Sequence, residues 1–218
     1  MKTLQNFLLL IHILGGSLGL ITGILSMILK KGDQNHVRTG RIFFYSMMTT
    51  GSTSLILAVI NPNEFLFTVG LFTLYMIISA KRYISSTTRN RMTPTLTDKI
   101  ITGIMLAAGI LFMVFGIFRI TRMENFGIVF ITFGVIGLGF VFQDYRNFTG
   151  KSYFKNPGLL AHLQRMTGGF IAATTAFLVV NIRYFPEQIP DILFWLLPTF
   201  LFTPLIIKWS RKFAVIKK

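Results

Sequence analysis

Residues 99–118 read KIITGIMLAAGILFMVFGIF. From Ile100 to Phe118 this stretch contains no charged side chain. An α-helix of about 20 residues is about 30 Å long, which matches the thickness of the hydrocarbon core of a bilayer. The stretch therefore predicts a helix that crosses a membrane, and this prediction decides the fold class of the chain.

Six further apolar runs have lengths that fit a membrane-spanning helix. Together with residues 99–118, they predict seven spans. In chain order these lie at residues 5–29, 41–60, 65–80, 99–118, 126–143, 159–181 and 191–208. Thr97-Asp98 is the predicted N-cap of the fourth helix, because Thr and Asp side chains accept hydrogen bonds from the first free N–H groups of a helix. We expect an all-α fold, a single transmembrane helical bundle over residues 1–218 with no separate soluble domain.

The composition excludes a water-soluble globular protein. Of the 218 residues 52% are hydrophobic and 13% are charged, whereas soluble domains average about 25% charged residues. The chain contains no cysteine, which excludes disulfides, thiolate nucleophiles and iron–sulfur clusters held by cysteine.

The basic residues predict the orientation of the chain in the membrane. The formal net charge is +15, and the charged residues lie mostly in short loops between the apolar runs. Of the 22 Lys and Arg residues, 18 fall on one side of the predicted spans and four on the other, namely Lys2, Arg119, Arg122 and Arg183. The positive-inside rule then places the N-terminus outside and the C-terminus in the cytoplasm. We expect the cytoplasmic face to attract anionic lipid headgroups, and nucleic acid is not needed to explain the charge.

Small residues recur every four positions in three of the spans. Such faces let helix backbones approach each other closely in lipid. The sets are Gly15, Gly19 and Gly23; Ser46, Thr50 and Ser54; and Gly168, Ala172 and Ala176. Packing within the chain is the favoured interpretation, and a homo-oligomer through these faces is the alternative.

Three histidines are candidate functional residues, since ionisable groups at membrane depth are costly. His12 lies in the outer half of the first span, whereas His36 and His162 lie at cytoplasmic ends of the second and sixth. From His12 to Lys30 a helix rises about 27 Å, so the three histidines do not share one metal. For His12 we favour an interhelical hydrogen bond, and a proton relay or a ligand contact is the alternative.

His36 and His162 are candidate ligands at the cytoplasmic side. Two imidazoles can hold a haem iron, or they can share a divalent metal with a carboxylate, for which Asp144 is the candidate. Arg165 follows His162 by one helical turn, and we expect it either to pair with Asp144 or to reach the interface. For the two histidines taken by themselves the favoured interpretation is structural, namely that both bond to backbone or lipid phosphate.

Hydroxyl groups in the second span give an alternative functional hypothesis. Residues 49–54 contain Thr49, Thr50, Ser52, Thr53 and Ser54, which could line a hydrated path or could bond to neighbouring helices. No acidic residue lies in the middle of a predicted span, which disfavours proton- or cation-coupled transport.

Catalytic motifs are absent from the sequence. It contains no Walker, GxSxG or HExxH motif. We therefore do not expect the protein to be an enzyme. If it were one, the expected class would be a haem- or metal-dependent membrane oxidoreductase.

Four segments together are similar to a known group of sequences. They read HVRTGR at 36–41, LYMIISAKRY at 74–83, HLQRMTGGFIAATTAFLVVN at 162–181 and WLLPT at 195–199. They resemble a family of predicted multi-pass bacterial membrane proteins known only as a domain of unknown function. The resemblance covers most of the chain and implies a protein of the bacterial cytoplasmic membrane, but it implies no activity or substrate.

The sequence thus leads to two functional hypotheses. The first is a protein that binds a small ligand, a metal or a haem at a cytoplasmic-side pocket between the second, fifth and sixth spans. The candidate residues there are His36, His162, Asp144 and Arg165. The second is a small-solute transporter or channel with a hydroxyl-lined path beside the second span, with His12 and Thr50 at its outer half.

Overall fold

The computed structural model describes residues 2–88 and 93–216, and it describes the side chains of all of these except 86–88. The described residues form seven α-helices, which are α1 (Lys2–Ile28), α2 (Gln34–Ile60), α3 (Glu64–Thr88), α4 (Leu96–Thr121), α5 (Phe126–Phe148), α6 (Pro157–Val180) and α7 (Asp191–Phe213). Each is long and apolar enough to cross a membrane. The part of the chain that is described contains no β-strand beyond one isolated bridge between Phe154 and Ile216. The predicted all-α class is therefore confirmed, and the number of helices with the length and apolar character of a membrane span is the predicted seven.

The helices extend beyond the predicted spans at several ends. α2 begins at Gln34 rather than at 41, and α3 continues to Thr88 rather than ending at 80. The first turn of α2 is stabilised by its N-cap Asp33, whose carboxylate accepts a 2.7 Å hydrogen bond from the backbone N–H of His36. Hydropathy identifies only the apolar middle of such a helix, because the polar residues of its end turns have no apolar signal.

The N-cap of α4 is Thr95, so the prediction of Thr97-Asp98 is wrong by one half-turn. The Thr95 hydroxyl accepts a hydrogen bond from the backbone N–H of Asp98, and the Asp98 carboxylate accepts one from the backbone N–H of Thr95. This reciprocal capping box satisfies two N–H groups at once. Asp98 therefore lies inside the first turn and not at the cap.

Two compact units make up the chain. The first comprises Met1–Lys81 and Leu163–Phe213, and the second comprises Arg82–His162 and Ala214–Lys218. The first unit contains α1, α2 and α7 with most of α3 and α6, and its buried core is formed by Phe43, Met47, Ile77 and Phe170. The second unit contains α4 and α5. The expectation of a single bundle stays a prediction.

In the first unit the glycine face of α1 packs against α2. A Cβ atom on Gly15 would lie 3.0 Å from the Thr50 hydroxyl and 3.4 Å from the Ser46 carbonyl oxygen. A Cβ atom on Gly19 would lie 3.6 Å from the Ser46 side chain. The small residues of the first two spans are thus used for close packing within the chain.

In the second unit α4 and α5 approach each other at glycines of both helices. A Cβ atom on Gly127 would lie 2.6 Å from the carbonyl oxygen of Gly116, and one on Gly116 would lie 2.9 Å from that of Gly127. A second crossing pair is formed by Gly109 and Gly134, where a Cβ on Gly134 would lie 3.1 Å from the Gly109 carbonyl oxygen. The two backbones are therefore close enough that neither side can accept a larger residue without movement.

Candidate functional site

Asp144 on α5 is the most deeply buried acidic residue in the described part of the chain, with no exposed surface. Its Oδ1 accepts a 2.6 Å hydrogen bond from the Tyr83 hydroxyl on α3. Its Oδ2 accepts a 2.9 Å hydrogen bond from the Thr102 hydroxyl on α4. Both carboxylate oxygens are engaged, which is what a buried polar group needs to offset the loss of water.

Two neighbours of Asp144 on α5 hold the Tyr83 side chain. The Asn147 amide donates a 3.3 Å hydrogen bond to the Tyr83 hydroxyl, which in turn donates to Asp144. The ring of Phe148 stacks on that of Tyr83 with centroids 6.0 Å apart and planes inclined by 19°. Tyr83, Thr102, Asp144 and Asn147 are called the Asp144 cluster below. Within the second unit, the cluster joins the C-terminal end of α3 to α4 and α5.

The sequence predicts only one member of this cluster. Asp144 is the candidate carboxylate ligand there, because it closes the fifth span beside the loop that leads to His162. The hydroxyl donors come from positions 61 and 42 residues away in the sequence. No local pattern pairs residues at such separations, so the sequence contained no signal for Tyr83 or Thr102 as partners.

A second polar group secures the start of α4. The Arg82 guanidinium forms an ion pair with the Asp98 carboxylate and donates a 2.6 Å hydrogen bond to the Thr95 hydroxyl. Arg82 thereby connects the end of α3 to the capping box of α4. Arg82, Thr95 and Asp98 therefore have a structural role, which is to hold the start of α4 against the end of α3.

His36, in the first turn of α2, is anchored to the end of α1. Its Nδ1 lies 3.0 Å from the carbonyl oxygen of Ser26. A carbonyl oxygen only accepts hydrogen bonds, so Nδ1 carries the proton and the neutral ring has its lone pair on Nε2. The side chain is half-buried. A histidine that ligates a metal usually donates its other ring N–H to a carbonyl or carboxylate in the same way.

Lys31 caps the C-terminal end of α1. Its ammonium group donates hydrogen bonds to the carbonyl oxygens of Ser26, Met27 and Leu29, at 3.1, 2.6 and 3.2 Å. It also lies 4.2 Å from the centroid of the Trp209 ring. Partial burial lowers the pKa of Lys31 from its ordinary value. All three N–H donors satisfy the free carbonyls of a helix end, so Lys31 is structural.

His12 forms an interhelical contact within the first unit. Its Nδ1 lies 3.1 Å from the Thr50 carbonyl oxygen and 3.2 Å from the Thr53 hydroxyl. The Thr53 hydroxyl donates its own proton to carbonyl oxygens of α2, at Thr49 and Thr50, so it accepts from the histidine. This is the hydrogen bond that the sequence favoured for His12.

The remaining candidates are divided between the two units. Arg165, on α6 in the first unit, has no exposed surface, and its guanidinium lies 5.2 Å from the centroid of the Tyr75 ring. His36 also belongs to the first unit, whereas Asp144 and His162 belong to the second. The predicted joint site of His36, His162 and Asp144 and the predicted Asp144–Arg165 pair therefore stay predictions.

The described residues contain no group of three or more His, Asp or Glu side chains arranged to hold a metal ion.

The hydroxyl groups of α2 bond within their own helix. Thr50, Thr53 and Ser54 donate to backbone carbonyls three or four residues earlier. Thr174 on α6 does the same. These bonds give the hydroxyls a structural use, and the hypothesis of a hydroxyl-lined path gains no support from them.

Comparison of the chain with models of protein families, with curated proteins and with solved structures finds no match. The resemblance to a family of bacterial membrane proteins therefore stays a prediction from the sequence.

Proposed function

We propose that the chain is a multi-pass protein of the bacterial cytoplasmic membrane, with its N-terminus outside and its C-terminus in the cytoplasm. Two observations support this proposal. Seven helices are long and apolar enough to span a bilayer. With alternate crossings, 18 of the 22 basic residues fall on the side that the positive-inside rule assigns to the cytoplasm.

We further propose that the protein binds a haem-type ligand, with a metal centre and anionic groups, on its cytoplasmic side through Nε2 of His36. The observation that carries this proposal is the hydrogen bond from Nδ1 of His36 to the Ser26 carbonyl. It holds the ring in one tautomer and leaves the Nε2 lone pair to accept a proton or to bind a metal centre. Asp144 is a weaker candidate for ligand binding than His36, because its carboxylate is fully buried and both of its oxygens accept hydrogen bonds.

The charge around His36 favours a ligand with negative groups. Lys30, Arg38 and Arg41 are exposed close to it in the sequence. Asp33 is the single acidic residue of this segment, and it is used as the N-cap of α2. A haem combines an iron that accepts an imidazole with two anionic propionates, so it fits both the nitrogen and the charge.

A visible absorption spectrum of the detergent-purified protein tests this proposal, with metal analysis of the same sample and a titration with added haemin. We expect a Soret band, present on purification or formed with haemin, that His36→Ala abolishes. His12→Ala is the matched control, since His12 also donates Nδ1–H to a carbonyl but lies in the N-terminal half of α1, whereas His36 contacts the C-terminal end of that helix. It should keep the band.

Two outcomes would overturn the haem-type ligand. One is a protein that stays colourless and metal-free with haemin added. The other is a band that survives in His36→Ala.

A further inference from the structure

The last turn of α5 and the loop after it hold two cations against aromatic rings. The Arg146 guanidinium lies 4.1 Å from the centroid of the Tyr153 ring and 5.9 Å from that of Phe142. Lys151 places its ammonium group 5.7 Å from the centroid of the Tyr145 ring. These five residues all belong to the second unit and are called the Arg146 patch below.

The two cations of the Arg146 patch are not neutralised by the protein. In the described part of the chain neither Arg146 nor Lys151 forms an ion pair with a carboxylate. Arg146 donates one hydrogen bond, of 3.2 Å, to the carbonyl oxygen of Lys151. A guanidinium has five N–H donors, so most of them remain for an external acceptor.

The aromatic rings of the patch are exposed at a helix end. Tyr153 is 69% exposed, Phe142 61% and Tyr145 53%. They lie at the point where the apolar helix α5 (Phe126–Phe148) gives way to a loop. Tyrosines in this position are typical of the headgroup level of a bilayer, where a ring can contact acyl chains and its hydroxyl can contact water.

We propose that the Arg146 patch is a binding site for the phosphate of an anionic phospholipid. The guanidinium and the ammonium group would share the phosphate oxygens, since Arg and Lys are the usual partners of phosphate. The exposed rings of Phe142 and Tyr145 would contact the upper part of the acyl chains. The proposal rests on two cations that have no counter-ion in the described part of the chain and that lie beside exposed rings. It does not depend on any ligand at His36.

A lipid titration tests the site on the full-length protein. The thermal midpoint of the protein in an uncharged detergent is measured against added short-chain phosphatidylglycerol, with phosphatidylcholine of the same chains as the reference. We expect stabilisation specific to phosphatidylglycerol. The double variant Arg146→Gln/Lys151→Gln should bind it about 30-fold more weakly, because one cation near an anionic surface contributes about fivefold in affinity.

Lys212→Gln is the matched control. Lys212 also lies over a ring, 5.6 Å from the centroid of Phe213, and it is exposed on the face predicted to be cytoplasmic. It should bind phosphatidylglycerol as the wild type does. If the double variant does not fold, Lys151→Gln alone provides the test. We expect this variant to fold, because the Lys151 ammonium group contacts only an exposed ring. It should bind phosphatidylglycerol about fivefold more weakly than the wild type.

Three results would overturn the proposal. The first is an unchanged affinity for phosphatidylglycerol in the Gln variants. The second is an equal loss in Lys212→Gln, which would indicate general surface charge. The third is the same stabilisation by inorganic phosphate at equal concentration, which would indicate a soluble anion in place of a lipid.

Discussion

At the residue scale, the side chain of Asp144 shows how a carboxylate is accommodated inside a helical membrane protein. Its two oxygens accept hydrogen bonds from Tyr83 and Thr102, and Asn147 supports the tyrosine. Burying such a group without donors costs several kcal/mol. The sequence predicted that Asp144 was unusual, but it did not reveal these donors, because they depend on which helices lie side by side.

Replacing Thr102 by Val should therefore destabilise the protein. Thr102→Val keeps the shape of the side chain and removes the donor to Oδ2 of Asp144, and we expect a loss of about 1 to 2 kcal/mol in the free energy of unfolding. Denaturant unfolding in detergent, followed by circular dichroism, measures it. Thr132→Val is the control, since the exposed Thr132 hydroxyl donates only to the Ile128 carbonyl of its own helix. A loss as large in the control would show that Asp144 is not the cause.

At the element scale, the contact between α4 and α5 depends on glycines that no four-residue pattern identifies. Gly109 and Gly116 on α4 are seven residues apart, and so are Gly127 and Gly134 on α5. Small residues at every fourth position occur on α1, α2 and α6. A spacing of seven also returns to the same helix face after two turns, but glycines at this interval are common enough by chance that only the close approach of the backbones identifies them.

Adding a methyl group at this contact should push the two helices apart. We expect Gly127→Ala to lower the free energy of unfolding by about 1 to 3 kcal/mol, because its Cβ would lie 2.6 Å from the Gly116 carbonyl oxygen. Gly103→Ala on α4 is the control, since no atom lies within 4 Å of the added Cβ. It should be neutral or stabilising by up to about 1 kcal/mol, as Ala favours a helix over Gly. Equal effects of the two substitutions would refute the close-packing interpretation.

At the scale of the whole molecule, the proposed orientation depends on the distribution of basic residues. The complete absence of cysteine makes it directly testable, because a single introduced thiol is the only reactive one. Asn35, in the first turn of α2, and Glu187, between α6 and α7, are both exposed and belong to opposite predicted faces.

Labelling with a membrane-impermeant maleimide in spheroplasts should distinguish the two positions. We expect Glu187→Cys to react in intact spheroplasts and Asn35→Cys to react only after permeabilisation, since the former is predicted to be outside and the latter in the cytoplasm. The wild type, which has no thiol, is the background control. The reverse labelling pattern would show that the orientation is the opposite of the proposed one, with His36 and the Arg146 patch on the outer side.

Hydropathy along the chain is sufficient to predict the fold class, the number of helices and the approximate position of each span. Hydropathy is a sum over neighbouring residues, so a run such as 99–118 decides locally that a helix will cross the membrane. It also singled out Asp144 and His36, because charged or ionisable groups are conspicuous beside apolar runs.

The partners of those residues and the exact ends of the helices depend on how the helices pack, and they are visible only in the folded protein. The Tyr83–Asp144 and Thr102–Asp144 hydrogen bonds join three helices, and the Ser26–His36 bond joins the end of one helix to the start of the next. The N-cap at Thr95 also depends on its reciprocal bond with Asp98. These arrangements follow from directional hydrogen bonds between groups brought together by packing, and hydropathy carries no information about direction.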